Sequence, residues 1–335
     1  MKILERELGA IDFAENQQRT LQLPRNYAYR YLSLKLVANV TIAETTAGTV
    51  KDSCVANLVR NLMVRANGRD VVKNYDLSFL HRATQFRYGV RPKIISPADT
   101  GDTTTIDLEV HAIIDFAMWR SVKPVDTLLD SAGLATLELI CTWGIGNDIF
   151  SDSFGGTVTV NSAYLYVASC EAFGVPAKTQ FIINKEYSIQ SQVHTTTANH
   201  QIQIPVSNLY RSFILRTVSD DVHVNTILNN IQLKSGTEVY KNLIARHVQM
   251  MNRAEFGVEA PVSEAGALGG ADYSNRLLDG YYLLEFVKDG RLTECLDTSR
   301  LSSLEFILDV TSVGTTDMIT VYPVELIVPP VEANV

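Results

Sequence analysis

Hydrophobic and polar residues alternate with a period of two along much of the chain, which predicts a protein built largely of β-strands. The alternating segments lie at 21–23, 31–37, 105–118, 134–143, 157–167, 281–287, 301–310 and 318–328. Asn67-Gly68 and Ser235-Gly236 interrupt the pattern at two predicted hairpin turns. Residue pairs of this kind adopt the positive φ that a tight hairpin needs at low cost.

Two segments change to the spacing of a helix, in which apolar residues recur at i, i+4 and i+7. These positions are Phe79, Ala83 and Phe86 in the first segment, and Ile244, Val248 and Met251 in the second. Each predicted helix ends at a glycine, Gly89 or Gly257, where a left-handed cap residue is favoured.

The first 17 residues carry Leu4, Leu8 and Ile11 at helical spacing, which predicts a short amphipathic helix. Gly9 weakens that helix, and a frayed terminus is the alternative.

The chain contains a long internal repeat. Residues 129–140 read LDSAGLATLELI and residues 296–307 read LDTSRLSSLEFI, with six of the twelve positions identical. Further matches in the same order pair Leu21-Gln22-Leu23-Pro24 with Ile202-Gln203-Ile204-Pro205, Tyr29-Arg30 with Tyr210-Arg211, Lys73-Asn74 with Lys241-Asn242, Ile113-Ile114-Asp115-Phe116 with Leu283-Leu284-Glu285-Phe286, and Val158-Thr159-Val160 with Ile319-Thr320-Val321. Collinear blocks indicate a tandem duplication of a unit of roughly 160 residues, which is a whole domain rather than a solenoid module.

Each copy is predicted to hold many short strands with one helix in the middle, which favours a jelly-roll β-sandwich over an immunoglobulin sandwich. The predicted fold is therefore all-β, with two tandem jelly rolls, each carrying a short inserted helix. We expect an N-terminal segment at 1–17, a first jelly roll at 18–172, a second at 173–328 and a C-terminal arm at 329–335.

Composition limits the classes of function. The 335 residues are 46% hydrophobic and 20% charged, as in a globular protein with ample core. A net charge of −8 provides no electrostatic footprint for nucleic acid, so direct binding to it is not expected. No run approaches 18 apolar residues, and acidic residues interrupt the N-terminus too early for a secretory signal.

The four cysteines have no CxxC spacing and none of them is repeated between the copies. They are Cys54, Cys141, Cys170 and Cys295. A disulfide or zinc site inherited by both copies would occur twice, so buried free thiols in a reducing compartment are expected.

The motifs of common enzymes are missing from the sequence: it has no P-loop, no HExxH, no GxSxG and no EF-hand loop. Gly144-Ile145-Gly146 lacks the third glycine of a dinucleotide fingerprint and is interpreted as a loop. The histidines do not form an HxH pair and do not match between copies; they are His81, His111, His194, His200, His223 and His247. We therefore predict no catalytic residue, no metal ligand, and neither a bound cofactor nor a residue to bind one.

Three acidic residues of each copy correspond, and these are the remaining candidates for general acid–base chemistry. The pairs are Asp115 with Glu285, Asp130 with Asp297, and Glu138 with Glu305. A catalytic site is rarely kept in both copies of a fused domain, so structural roles are expected. Asp130-Ser131 and Asp297-Thr298 in particular are interpreted as side-chain-to-backbone turns.

Taken together, two tandem strand-rich domains without a catalytic motif resemble the double-jelly-roll major capsid proteins of tailless icosahedral viruses with an internal membrane, including lipid-containing bacteriophages. The segment Leu278-Asp279-Gly280-Tyr281-Tyr282-Leu283-Leu284, followed by Leu296-Asp297-Thr298-Ser299, is similar to the second jelly roll of that family. The resemblance covers nearly the whole chain from about residue 20 and rests on architecture rather than on a diagnostic motif.

The resemblance implies a non-enzymatic shell protein of the virion, made in the host cytoplasm. It implies a homotrimer that contacts neighbouring capsomers, other capsid proteins such as penton or minor proteins, and an internal membrane through the segments at 1–15 and after Pro329.

Two alternatives stay open. One is a double-jelly-roll hydrolase or carbohydrate-binding protein, for which Trp119 and Trp143, both in the first copy, are the only hint. The other is a spike or minor shell protein of the same kind of virus.

Overall fold

The computed structural model describes residues 1–43, 50–89, 92–95, 103–150, 154–175, 182–256 and 279–328. The chain divides into two compact units, the first holding Met1–Glu186 together with Val328, and the second holding Tyr187–Ile327. The sequence placed the boundary earlier, after residue 172. The observed division lies later because the strand Ile183–Tyr187 is hydrogen-bonded to the strand Asp70–Tyr75 of the first unit.

Strands dominate both units. The first unit contains β1 (Lys2–Asp12), β2 (Gln18–Gln22), β3 (Ala28–Ala43), β4 (Val59–Ala66), β5 (Asp70–Tyr75), β6 (Ile94–Ile95), β7 (Thr104–Asp115), β8 (Leu129–Asp130), β9 (Leu137–Trp143), β10 (Thr157–Phe173) and β11 (Ile183–Tyr187), with helix α1 (Leu77–Tyr88) between β5 and β6. The second contains β12 (Ile189–Val193), β13 (Thr197–Ile204), β14 (Leu209–Ser219), β15 (Val222–His223), β16 (Leu228–Ser235), β17 (Glu238–Ile244), β18 (Tyr281–Glu285), β19 (Leu296–Asp297), β20 (Leu304–Val310) and β21 (Asp317–Ile327), with helix α2 (Ala245–Phe256) between β17 and β18.

In each unit the strands form two antiparallel groups in a jelly-roll order. In the first unit one group runs β1-β10-β3-β7-β6, and the other runs β2-β9-β4-β5-β11. In the second unit β12 and β14 flank β21 and β18 pairs with β14, while the other group runs β13-β20-β16-β17. Neighbours in space are distant in sequence, as in Greek-key connections. The prediction of two tandem jelly rolls, each with an inserted helix, is confirmed.

The core of the second unit shows how the alternation becomes a sandwich. Inward residues of β14, β18 and β21 pack against inward residues of β13, β16 and β20 in one buried cluster. At its centre, Phe213 and Phe306 meet edge to face with ring centroids 5.3 Å apart. Packing of this kind fixes the strand register, because a slip of one residue turns every inward side chain outward.

The repeated Pro…Tyr-Arg block sets the entry into each jelly roll. The Tyr29 hydroxyl donates to the Pro24 carbonyl at 2.6 Å, and the Tyr210 hydroxyl donates to the Pro205 carbonyl at 2.7 Å. Both tyrosines are fully buried. Each hydroxyl thereby satisfies a carbonyl in the loop that follows the edge strand β2 or β13.

The arginine of the same block is a β-bulge in both copies. Tyr29 pairs with Glu171 and Tyr31 with Cys170, so Arg30 is the extra residue. In the second copy, Tyr210 pairs with Glu325 and Ser212 with Val324, so Arg211 is the extra residue. The Phe116 N–H donates to the freed Arg30 carbonyl at 3.0 Å, and the Phe286 N–H donates to that of Arg211 at 3.0 Å. Three of the repeated sequence blocks therefore meet at one bulge.

The N-terminal segment is a strand, and the prediction of a helix at 1–17 is wrong. Residues Lys2–Asp12 pair with β10, and the register shifts between Glu7 and Gly9. Leu4 and Leu8 are an even number of residues apart and share a face, and the bulge at Gly9, with φ of 133°, restores the parity for Ile11. The bulge thus produced a spacing that reads as helical.

The two helices match the prediction unequally. In α1, the Asp76 side chain accepts from the Phe79 N–H at 2.6 Å, and Gly89 ends the helix with φ of 69°. In α2, Val248 is buried, but Ile244 ends strand β17 and is 52% exposed, and Met251 is 49% exposed. The predicted apolar face of α2 is therefore wrong, since Ala245 and Asn252 accompany Val248 on the buried side. Gly257 lies outside the described residues.

The turn between β4 and β5 yields a test of the hairpin prediction. Asn67 and Gly68 have φ of 52° and 73°, and a Cβ on Gly68 would meet no atom within 4 Å. We expect Gly68→Ala to lower the free energy of unfolding by about 1–2 kcal/mol through backbone strain alone. Urea denaturation measures this loss.

The matched control is Gly133→Ala, because Gly133 also has open space around its Cβ position but has no positive φ. The control should change stability by about 0.5 kcal/mol or less. Equal losses in the two variants would contradict the assignment of strain to the turn.

Candidate functional site

The repeated glutamates Glu138 and Glu305 lie on the outer side of their sheets and form matching ladders across three strands. Glu138 accepts from Gln22 at 2.8 Å and from Arg65 Nη2 at 2.8 Å. Glu305 accepts from Gln203 at 2.8 Å and lies 3.5 Å from Lys234 Nζ. The hydrogen bond from Gln22 and the ion pair with Arg65 lower the pKa of Glu138. A carboxylate held ionised by its neighbours is poorly suited to act as a general acid.

Asp130 and Asp297 form the turns predicted from the sequence. The Asp130 carboxylate accepts from the Ala132 N–H at 3.1 Å, and the Asp297 carboxylate accepts from the Ser299 N–H at 2.9 Å. The following hydroxyl also has a matching role, because Thr298 Oγ1 donates to the Asn208 carbonyl at 2.6 Å and Ser131 Oγ donates to that of Tyr27. These side chains close the loop before β9 and β20.

Asp115 and Glu285 are buried, and each pairs with an arginine. Arg87 Nη1 lies 3.2 Å from Asp115 Oδ2, and Arg211 Nε lies 3.3 Å from Glu285 Oε2. The arginines come from different elements, α1 in the first unit and the β14 bulge in the second. The two copies keep a buried carboxylate at this position but neutralise it differently.

Around Asp115, the first unit holds a buried ionic cluster of four charged side chains. Lys73 Nζ donates to Glu186 Oε1 at 2.9 Å, and Arg87 Nη2 donates to Glu186 Oε2 at 2.6 Å. Tyr88 donates to Asp115 Oδ1 at 2.5 Å. Lys73, Arg87, Asp115 and Glu186 are each at most 4% exposed, and their formal charges cancel. Burial of ions is tolerated only with such pairing and hydrogen bonding.

The cluster shifts the pKa values of its members in opposite directions. Burial raises the pKa of Asp115 more than Arg87 lowers it. Burial also opposes the ionisation of Glu186, but the two cations, Arg87 and Lys73, outweigh it and lower the pKa of that carboxyl. Burial lowers the pKa of Lys73. Two oppositely shifted carboxyls resemble an acid–base pair, but both are enclosed among cations and aromatic rings.

Sequence reasoning found Asp115 but missed its partners Lys73, Arg87 and Glu186 as a group. Lys73 was seen only as a repeated position. One signal could have indicated that Lys73 is buried: it lies in the same strand as Val72 and Tyr75, which are core residues. A cation placed there requires a buried anion, although the sequence does not identify Glu186, which is 113 residues away.

The two tryptophans, the hint of a carbohydrate cleft, both lie in the core. Trp143 is fully buried and meets Phe13 with ring centroids 5.4 Å apart. Trp119 is 6% exposed, and the Arg87 guanidinium lies 5.0 Å from its ring centroid. Neither ring is available to stack on a sugar.

The histidines are dispersed among local contacts. His81 Nδ1 lies 2.9 Å from the His111 carbonyl, His111 Nε2 lies 2.6 Å from Glu109, and His200 Nε2 lies 2.8 Å from Ser191. Among the described residues, no group of three or more histidines, cysteines or acids has the arrangement of a metal site. Gly144-Ile145-Gly146 connects β9 to a short 3₁₀ turn, as the loop interpretation predicted.

No helix in the described part of the chain is both long enough and apolar enough to cross a membrane.

Comparison with known proteins adds the fold class. No family model and no curated protein matches the chain. Among solved structures, one described as the STIV MCP is 14% identical with a TM-score of 0.75, covering 98% of this chain and 98% of that one. A structure of Sulfolobus Turreted Icosahedral Virus is 16% identical with a TM-score of 0.73, covering 98% and 92%. The major capsid protein of Bacteriophage PM2 is 12% identical with a TM-score of 0.60, covering 98% and 100%.

At these identities the likeness establishes a shared fold over nearly the full length of each chain. The double jelly roll is therefore the architecture of this protein.

Removing one charge from the ionic cluster should destabilise the fold strongly. We expect Lys73→Met to lower the free energy of unfolding by about 3–5 kcal/mol at pH 7, because it leaves an uncompensated buried negative charge. The pKa of Glu186 is lowered in the fold, so the stability contributed by its ionised form is present above the unfolded pKa, about 4.3, and is lost as pH falls through the folded value. Lys73 is one of the two cations that hold this pKa down, so in the variant Glu186 should bind a proton at higher pH than in the wild type. The loss caused by Lys73→Met should therefore shrink as the pH falls from 7 to 4.

The matched control is Lys241→Met, the same position in the second copy. Lys241 Nζ contacts only the Glu285 carbonyl at 3.4 Å and the Phe286 ring among the contacts found in the described residues. Chemical denaturation at pH 7 and pH 4 should show a smaller and less pH-dependent loss for it. Indistinguishable losses for the two lysines would overturn the role given to the cluster.

The burial of the cysteines predicts how fast, and how many of, their thiols react with a reagent. All four are buried thiols, as expected from the sequence, and burial raises the pKa of Cys295 to about 12. Native protein should react slowly with a thiol reagent near pH 8, because the thiolate is the reactive form. Four thiols should react after unfolding in denaturant without reductant, and fewer than four would reveal a disulfide.

Proposed function

We propose that this chain is the major capsid protein of a tailless icosahedral virus. The observation that carries the proposal is architectural: a duplicated jelly roll spans the chain, and the likeness to a capsid protein covers 98% of both chains. The repeated acids are explained by ladders, turns and buried ion pairs, and both tryptophans belong to the core. No observation favours the hydrolase or carbohydrate-binding alternative.

Duplication suits the tiling of a closed shell. A trimer of a chain with two similar domains presents six similar units, so it approximates a hexagon while needing only threefold symmetry. The capsomers then contact one another through heterologous surfaces. Within this proposal the chain is located in the virion shell after synthesis in the host cytoplasm.

The proposed partners are further copies of this chain, in the trimer and in neighbouring capsomers, and other shell proteins at the vertices. A spike or minor shell role would use the same fold. Contact of an N-terminal helix with an internal membrane is not retained, because Lys2–Asp12 is a strand paired with β10. The C-terminal arm at 329–335, the other predicted membrane contact, lies outside the described residues.

The proposal predicts a stable trimer of the purified protein. Multi-angle light scattering should give three times the 37.1 kDa mass of the chain, and negative-stain microscopy should show a nearly hexagonal outline. A large interface should keep the trimer intact on dilution to submicromolar concentration. A monomer at every concentration tested would contradict the proposed function.

A further inference from the structure

One broad sheet face of the first unit is exposed and carries an aromatic centre. On β10, Tyr164 and Tyr166 are 40% and 41% exposed, whereas their neighbours Ala163, Leu165 and Val167 point inward and are buried. The two tyrosine rings lie side by side with centroids 6.1 Å apart. We call this surface, formed by the outward residues of β1, β10, β3 and β7, the tyrosine face.

The strand register determines the neighbours of the tyrosines. Tyr164 lies between Asp12 on β1 and Val37 on β3. Tyr166 lies between Ala10 and Lys35. Small and apolar residues therefore surround the rings, and charges of both signs stand beside them.

The edge of the tyrosine face on β7 also carries charges of both signs. On β7, Glu109 and His111 lie opposite Val37 and Lys35, and Glu109 is 3.7 Å from Lys35 Nζ. A surface with alternating charges gives no continuous positive track for a polyanion. An aromatic centre with a polar rim is the usual anatomy of a protein–protein interface.

The second unit shows the same sheet face in a buried state. The shared bulge fixes the correspondence: Tyr166, opposite Lys35, matches Thr320, opposite Arg216. The sequence match of Val158-Thr159-Val160 with Ile319-Thr320-Val321 is therefore wrong, because it is out of register with the strand pairing. By the same register, Ala168 matches Tyr322. Thr320 and Tyr322 are each 1% exposed, although their side chains point away from the core cluster that contains Ile319 and Val321.

At the positions of Tyr164 and Tyr166, the outer face of the duplicated sheet is therefore exposed in the first copy and half-buried or buried in the second. We infer that the tyrosine face binds a second copy of this chain and is a heterologous self-association surface of the assembly. This inference rests on the proposed function and specifies which surface carries it. Since the fold already buries this face in one copy, a further copy of the same chain is the partner that can supply an equivalent cover.

The test replaces both tyrosines with charged side chains. Tyr164→Arg with Tyr166→Arg adds two cations beside Lys35 at exposed positions, so the folded chain should keep its circular dichroism spectrum. Interface tyrosines are frequent hot spots. Light scattering over a dilution series should show the concentration for half-dissociation rising by about thirty-fold or more.

The matched control, Tyr164→Phe with Tyr166→Phe, keeps the rings and should assemble much more like the wild type than the arginine variant does. An arginine variant that assembles at the wild-type concentration would overturn the tyrosine face while leaving the proposed function standing. A wild-type chain that is monomeric throughout would overturn both.

If the arginine variant does not fold, a measurement on the wild-type protein tests whether the tyrosine face is covered in the assembly. Tyrosine nitration followed by peptide mass spectrometry should modify Tyr164 and Tyr166 faster in the dissociated protein than in the assembled protein. Equal modification in both states would show that no copy covers this face, and a glycan or another ligand would then have to be sought for it.

Discussion

The register between β3 and β10, and between their counterparts β14 and β21, is the constraint on which the rest of the molecule depends. Side chains alternate between the core and the outside, so one register fixes the burial of both strands. A bulge at Arg30 and at Arg211 occurs at the same point of each pair. The freed carbonyl of each bulged arginine is satisfied by the N–H of Phe116 or Phe286.

This shared bulge explains why separate blocks of sequence were retained together in both copies. A buried tyrosine precedes each bulge, and its hydroxyl holds the preceding loop in place. A buried carboxylate, Asp115 or Glu285, comes directly before the phenylalanine whose N–H donates to the carbonyl of the bulged arginine. An uncompensated change in one of these groups would leave a buried polar atom without its partner, which is costly. The repeated acids therefore report on the construction of the jelly roll rather than on catalysis.

Much of the fold could be predicted from the sequence because strand alternation, turn glycines and the duplication are local or periodic signals. The hairpin at Asn67-Gly68, the cap at Gly89 and the turns at Asp130 and Asp297 all follow from side-chain chemistry within a few residues. The failures have physical reasons. The bulge at Gly9 changed the alternation of β1, so its apolar residues had the spacing of a helix. At α2 the predicted apolar face included Ile244, which ends a strand, and Met251, which is exposed.

The ionic cluster was beyond sequence reasoning for a different reason. Its members come from β5, α1, β7 and β11, and only the tertiary fold brings Lys73 to Glu186. The second copy neutralises Glu285 with Arg211 from its own bulge, while in the first copy Arg30 at the same position is exposed and Arg87 binds Asp115. The duplicated domains have thus diverged at a buried site while keeping the carboxylate.

Divergence at the surface has a different physical meaning from divergence in the core. In the core, a changed partner must still balance the charge that it meets, so the two copies reach neutrality by separate routes. On the outer sheet face, a side chain in contact with water needs no partner to balance its charge. Tyr164 and Tyr166 are exposed there, whereas their counterparts Met318 and Thr320 are half-buried and buried. Large aromatic side chains at the centre of an exposed sheet are costly in solubility unless another surface covers them. The two copies of the duplicated domain therefore differ in burial at the same sheet positions, and this difference is the observation on which the proposed self-association surface rests.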